Sequence, residues 1–142
     1  MIDEDGGASL ESEVRDELAK VVPKKQLGRF ENRLGDASRA FRRERFGDAE
    51  RILRQLAKDA PGVPSVRELY GLTLYREGKW RLAAKELEAF RLLGGSTEQH
   101  PVLADCYRAL HQWQAVEDLW DELRAASPSA KSVSCRSIHS NS

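Results

Sequence analysis

Residues 37–61, ASRAFRRERFGDAERILRQLAKDAP, are followed 34 positions later by residues 71–95, GLTLYREGKWRLAAKELEAFRLLGG, with the same order of small and large residues. Apolar residues within each stretch recur at intervals of three and four, which is typical of amphipathic helices. A period near 34 residues with two helices in each period is typical of stacked helical hairpins. The matching pairs are Ala37 and Gly71, Phe46 and Trp80, Ala49 and Ala83, Leu53 and Leu87, and Pro61 and Gly95.

A third and less regular copy follows the second at an offset of 33 residues. It pairs Trp80 with Trp113, Ala83 with Val116, Leu87 with Trp120, Phe90 with Leu123, and Gly95 with Pro128. Residues 10–126 contain no alternating Val/Ile/Thr-rich run and no Asn-Gly or Asp-Gly turn, so strands are not expected there. We predict an all-α fold, and the alternative to a repeat array is an ordinary bundle of three hairpins. The predicted hairpins are 34–45 with 47–59, 66–77 with 80–93, and 101–112 with 113–126.

This pattern resembles the tetratricopeptide repeat (TPR) family, as three degenerate repeats over about residues 30–128. The resemblance rests on Phe46-x-x-Ala49-x-x-x-Leu53…Pro61 and on Gly71…Trp80-x-x-Ala83-x-x-x-Leu87. It departs from the family pattern at Arg33 and Arg67, which stand where a large residue is usual, and at Val116, where a small residue is usual. The resemblance implies a short right-handed superhelix of stacked hairpins.

Composition divides the chain into four segments. Residues 1–19 hold seven acidic residues against one basic residue, and residues 20–58 hold twelve basic residues against five acidic residues. The acidic leader either folds back on the basic stretch or acts as a solubilising tail. The predicted segments are a disordered acidic leader at 1–9, capping helices at 10–33 broken by Pro23, repeats at 34–126, and a disordered serine-rich tail at 127–142.

Several function classes find no support in the sequence. No apolar run approaches the roughly 18 residues that a membrane span needs, and the first ten residues are acidic, unlike a secretory signal. The two cysteines form neither a disulfide framework nor a metal-ligand motif, and Cys106 lies on the apolar side of a predicted helix. No nucleophile or phosphate-loop motif is present. We therefore predict a cytoplasmic, non-enzymatic protein with no membrane contact, cofactor or metal ion.

The TPR resemblance implies that the first helix of each hairpin lines a concave groove for an extended or helical peptide. The predicted function is therefore protein–protein interaction, as an adaptor or scaffold whose partner is another protein. The aromatic groove residues have an alternative role, which is to pack against neighbouring helices. The groove positions carried over are Leu34, Phe41, Arg42, Glu68, Leu72, Tyr75, Asp105 and Arg108.

Two further hypotheses come from the charge pattern and from the last helix. The Arg-rich residues 24–58 suggest nucleic-acid binding as an alternative function, with phosphate contacts from Arg39, Arg42, Arg43 and Arg45. The isoelectric point near 6.8 and the acidic leader weigh against this alternative. The last predicted helix, 113–126, carries an apolar ridge without a following helix, which suggests self-association or a shortened form of a longer array.

Overall fold

The computed structural model describes residues 12–94 and 96–126, and all regular secondary structure within these ranges is helical. The all-α prediction is therefore confirmed for the described residues. None of the helices in these ranges has the length and apolar character needed to cross a bilayer. The predicted leader at 1–9 and tail at 127–142 lie outside the described residues. The helices are α1 (Ser12–Val21), α2 (Lys24–Arg42), α3 (Phe46–Asp59), α4 (Pro64–Arg76), α5 (Trp80–Gly94), α6 (His100–Ala109) and α7 (Trp113–Ala126).

Proline residues mark the starts of three helices. Pro23 immediately precedes α2, Pro64 is the first residue of α4, and Pro101 lies in the first turn of α6. Proline suits these positions because its fixed φ fits the first helical turn and its missing N–H would have no partner there. The break expected at Pro23 is present, but the separate helices expected at 24–33 and 34–45 form the single helix α2.

The turns inside the three hairpins have the same backbone conformation. Glu44, Gly78 and His111 each adopt a left-handed conformation, with φ of 62°, 77° and 59°. These residues are separated by the same 34 and 33 positions as the sequence copies. The recurrence therefore extends from side-chain type to turn geometry. An equivalent hydrogen bond spans each turn. It runs from Arg45 N to Ala40 O (2.8 Å) in the first hairpin, from Lys79 N to Leu74 O (2.9 Å) in the second, and from Gln112 N to Tyr107 O (2.9 Å) in the third.

The hairpins stack in chain order. The hairpins are α2 with α3, α4 with α5 and α6 with α7, and each contacts the next through the pairs α3–α4 and α5–α6. The first helices α2, α4 and α6 also contact one another in sequence, and we call them the first-helix row. Within residues 12–94 and 96–126, the backbones of the second helices α3, α5 and α7 do not approach one another in this way, although side chains of α5 and α7 meet through Arg91 and Glu122. The helices of neighbouring hairpins are thus closer together on the side of the first-helix row.

Small residues allow the helices of a hairpin to approach closely. Ala37 and Ala104 are fully buried at equivalent positions of α2 and α6, and Gly71 is buried at that position of α4. A Cβ atom on Gly71 would lie 2.6 Å from both Cγ and Cδ2 of Leu87 on α5. This separation is too short for carbon atoms in contact, so the approach of α4 to α5 requires glycine.

The buried apolar side chains form two clusters. One cluster joins α1, α2, α3 and the start of α4, and it includes Leu18, Leu53 and Val66. The other joins the end of α4 to α5, α6 and α7, and it includes Leu87. The half-buried ring of Tyr70 packs against both clusters, so the core is continuous through α4.

Candidate functional site

The predicted groove residues lie on the first-helix row with different exposure. Leu34, a predicted groove position, is only 3% exposed and belongs to the apolar core, so little of its side chain is open to a ligand. Phe41, Glu68, Leu72 and Tyr75 are half-buried, and Arg42, Asp105 and Arg108 are exposed.

Three of the predicted residues meet between α4 and α6. Tyr75 Oη donates a hydrogen bond to Asp105 Oδ2 at 2.8 Å, and Arg108 forms an ion pair with the other carboxylate oxygen of Asp105. The edge of the Tyr75 ring faces Trp80, with ring centroids 5.6 Å apart and planes at 64°. The hydrogen bond to Asp105 raises the pKa of Tyr75, so this hydroxyl remains a donor at neutral pH. The cluster thus presents an aromatic edge, a carboxylate and a guanidinium group together.

Helix α1 lies against α2 and α4. Its Leu18 is fully buried in the first core cluster. Its Glu17 Oε1 accepts hydrogen bonds from Ser65 Oγ at 2.8 Å and from Ser65 N at 3.2 Å. Ser65 lies in the first turn of α4, where backbone N–H groups have no partner within the helix and a carboxylate is favourable. Helix α1 therefore covers part of the surface predicted as a groove.

An open cleft of about 950 Å³ lies beside α1. Its walls come from α1, α2, the start of α4, the end of α5 at Phe90 and Gly94, and Ser96 and Glu98. Two predicted groove residues, Arg42 and Glu68, line it. Gln99 Nε2 donates a 2.7 Å hydrogen bond to Glu68. Burial raises the pKa of Glu68, and the Gln99 hydrogen bond opposes this shift. The sequence did not indicate that α1 would form a wall of this cleft.

The predicted phosphate contacts have intramolecular partners. Arg39 pairs with Asp36, Arg42 donates a 2.9 Å hydrogen bond to Ser38 Oγ, and Arg45 lies 2.7 Å from Asp48. Arg43 is exposed and also has an interaction partner. Neighbouring acidic side chains therefore neutralise part of the basic surface.

The last helix packs back on its own hairpin. Val116 and Leu119 are buried against α6, and Trp120 and Leu123 are half-buried. The apolar ridge expected for self-association is thus largely covered. Large exposed apolar side chains lie mainly elsewhere, at Leu82 (50% exposed), Leu92 (76%) and Leu93 (45%) on α5, with Trp113 (57%) at the start of α7.

One polar network connects α5, α6 and α7. Tyr107 Oη donates a 2.5 Å hydrogen bond to Glu88, and Glu88 also accepts from Arg91 Nε at 2.9 Å. Arg91 lies 3.1 Å from Glu122, whose other oxygen lies 2.9 Å from His100 Nε2. Burial and the contact with Glu88 raise the pKa of Tyr107. These groups satisfy one another across three helices, which is typical of a structural network.

A second charged cluster joins α3 to the turn before α5. Burial opposes ionisation of Glu50, but hydrogen bonds with Lys79, Glu77 and Arg54 lower its pKa to about 2. Lys79 Nζ lies 2.9 Å from Glu50 Oε1, and Arg54 lies 2.7 Å from Glu50 Oε2. Burial, followed by the neighbouring Glu50, raises the pKa of Glu77. This cluster couples the first hairpin to the second.

The described residues contain no group of three or more His, Cys, Asp or Glu side chains that could hold a metal ion. Cys106 is buried, and burial raises the pKa of its thiol to about 11, so little nucleophilic thiolate forms at neutral pH. Comparison of the chain with protein-family models, curated proteins and solved structures finds no match.

Proposed function

We propose that this chain is a non-enzymatic protein-interaction module, in which the first-helix row forms a concave groove for a peptide or a partner helix. In this proposal the hairpins form a short right-handed superhelix similar to TPR arrays and act as a cytoplasmic adaptor. The equivalent turns at Glu44, Gly78 and His111 support a repeat array. The backbones of the first helices approach one another more closely than those of α3, α5 and α7 do in the described part, which favours curvature toward the first-helix row.

The observation that carries the proposal is the cluster of Tyr75, Asp105 and Arg108. These side chains come from two hairpins, and those of Asp105 and Arg108 are 49% and 42% exposed. Tyrosine and arginine are over-represented among the residues that dominate binding energy in protein interfaces. The adjacent carboxylate and guanidinium groups offer charge-assisted hydrogen bonds to a partner.

Affinity capture with variants of the full chain tests this proposal. The wild-type chain, Arg108→Glu and Arg81→Glu serve as baits in a native cell extract treated with nuclease. Arg81 lies exposed on α5, so its substitution makes the same charge change on a second helix. We expect Arg108→Glu to lower the recovery of a captured protein by about tenfold or more, and Arg81→Glu to leave it unchanged. Equal recovery with both variants would contradict binding on the first-helix row.

Nucleic-acid binding through residues 24–58 receives less support, because Arg39 and Arg45 are paired with the nearby acidic side chains of Asp36 and Asp48. The capture also discriminates between the two functions. In a parallel capture without nuclease, a protein that is retained there but lost after nuclease treatment or at modest salt would assign the function to this basic surface.

A further inference from the structure

We propose that the surface beneath α1 is a binding site for an acidic amphipathic helix, and that α1 is its resident intramolecular occupant. We call this surface the α1 seam, which is formed by α2 and the start of α4. The inference deepens the proposed function and rests on it, because it specifies the kind of partner that part of the first-helix row would bind.

The contacts of α1 define the chemistry of the occupant. Val14, Leu18 and Val22 pack into the first core cluster, at positions one, five and nine of a helical stretch. At position four, Glu17 accepts both the backbone N–H and the hydroxyl of Ser65. A partner helix with apolar residues at positions one, five and nine and a carboxylate at position four would reproduce these contacts.

The burial of α1 indicates that it can be displaced. Only Leu18 among its ten residues is buried, and Val22, just after the helix, is 6% exposed. A helix of this length is marginally stable without tertiary contacts, so its order depends on the seam. Pro23 ends the helical run directly after these residues, so release of α1 leaves the hydrogen bonds within α2 intact.

A peptide-binding experiment on the full chain tests the α1 seam. The probe is a fluorescein-labelled peptide of residues 12–22, and fluorescence anisotropy measures its binding. Substitution Leu18→Ala weakens the resident helix but leaves the seam itself unchanged. We expect the L18A chain to bind the probe at least tenfold more tightly than the wild-type chain, because a larger fraction of its seams is vacant. Arg15→Ala, an exposed change on the same helix, should bind the probe as the wild type does.

Amide hydrogen exchange of Ser65 identifies the binding site, because Glu17 accepts this N–H in the docked state. In the L18A chain the Ser65 amide should exchange faster, and the probe should slow its exchange again. A folded L18A chain with a faster Ser65 amide but no gain in probe binding would overturn the proposal. So would probe binding that leaves Ser65 exchange unchanged, since the peptide would then lie elsewhere.

A second variant covers the case in which L18A unfolds the chain. Glu17→Ala removes the acceptor for Ser65 and leaves the apolar core intact. We expect about threefold tighter probe binding with E17A, and unchanged binding would overturn the proposal. The substitution Arg108→Glu lies on α6, away from the seam, and therefore distinguishes the groove proposal from the seam proposal. If Arg108→Glu loses the captured protein but binds the probe normally, the result supports the groove. If only the probe experiments are negative, the α1 seam is contradicted and the groove is not.

Discussion

Substitution of Gly71 by alanine tests whether the close approach of α4 to α5 holds the second hairpin together. Alanine in place of glycine inside a helix usually stabilises it by about 1 kcal/mol. At this position, however, the new Cβ would lie 2.6 Å from Leu87 Cγ, about 1 Å closer than carbon atoms in contact. Leu87 is 1% exposed within the second core cluster, so a shift of its side chain would disturb its neighbours. Because overpacking typically costs about 1–3 kcal/mol and so outweighs the usual gain, we expect a net loss of up to about 2 kcal/mol in the free energy of unfolding.

Urea denaturation followed by circular dichroism measures this change, with Gly28→Ala as the matched control. Gly28 also lies inside a helix, but a Cβ there meets no atom within 4 Å, so alanine should stabilise the chain by up to about 1 kcal/mol. In a Leu87→Ala background the two 2.6 Å approaches are absent and the 3.3 Å approach to the backbone N of residue 87 remains, so Gly71→Ala should be less destabilising there than in the wild type. Equal stabilisation by G71A and G28A in the wild-type background would refute the close-packing argument.

Two further predictions concern the hairpin turns and the charged cluster at α3. Glu44→Gly should stabilise the chain by about 0.5 kcal/mol because it relieves a positive φ, and Gly78→Ala should destabilise it by about 1–2 kcal/mol at the equivalent position. Thermal unfolding of both variants measures the difference, and effects of the same sign would contradict the equivalence of the turns. Glu77→Gln should stabilise the chain by about 1 kcal/mol near pH 7, because burial and the neighbouring Glu50 disfavour the Glu77 carboxylate, whose Oε1 accepts no hydrogen bond from the described residues and lies 3.7 Å from Lys79 Nζ. Burial and Glu50 raise the pKa of Glu77, so the folded state binds a proton at Glu77 more tightly than the unfolded state does. At high pH the wild type is therefore less stable than Glu77→Gln, and this difference in the free energy of unfolding disappears as the pH falls. Urea titrations of both chains should show a smaller difference in the free energy of unfolding at about pH 4 than at about pH 7. A difference that is constant with pH would contradict this prediction.

The hairpins could be predicted because their signals are local and repeated. Small and aromatic residues spaced by 34 and 33 positions indicated where the helices pair, and most predicted boundaries lie within two residues of the observed ones. The boundary between residues 33 and 34 was wrong because the repeat register says where a copy begins and not where a helix begins. No proline interrupts the chain between Lys24 and Arg42, so α2 runs through that position.

The site could be predicted only where the repeat register determined it. The register placed Tyr75 and Asp105 on neighbouring first helices, and in the structure a hydrogen bond connects their side chains. Burial of Leu34 depends on a cluster that includes α1, and the Glu17–Ser65 contact spans 48 residues. No local pattern encodes such a contact. Arg67, a departure from the family pattern, forms a 2.6 Å ion pair with Glu86 across α4 and α5.

Site-specific photo-crosslinking tests the central claim most directly. A benzophenone amino acid replaces Leu72, a half-buried groove residue on α4, or Leu82, a 50% exposed residue on α5, in otherwise intact chains. Irradiation in native extract should attach a protein to the chain labelled at Leu72 and not to the chain labelled at Leu82. Crosslinks only from Leu82 would place the interaction on the second helices and contradict the proposed groove.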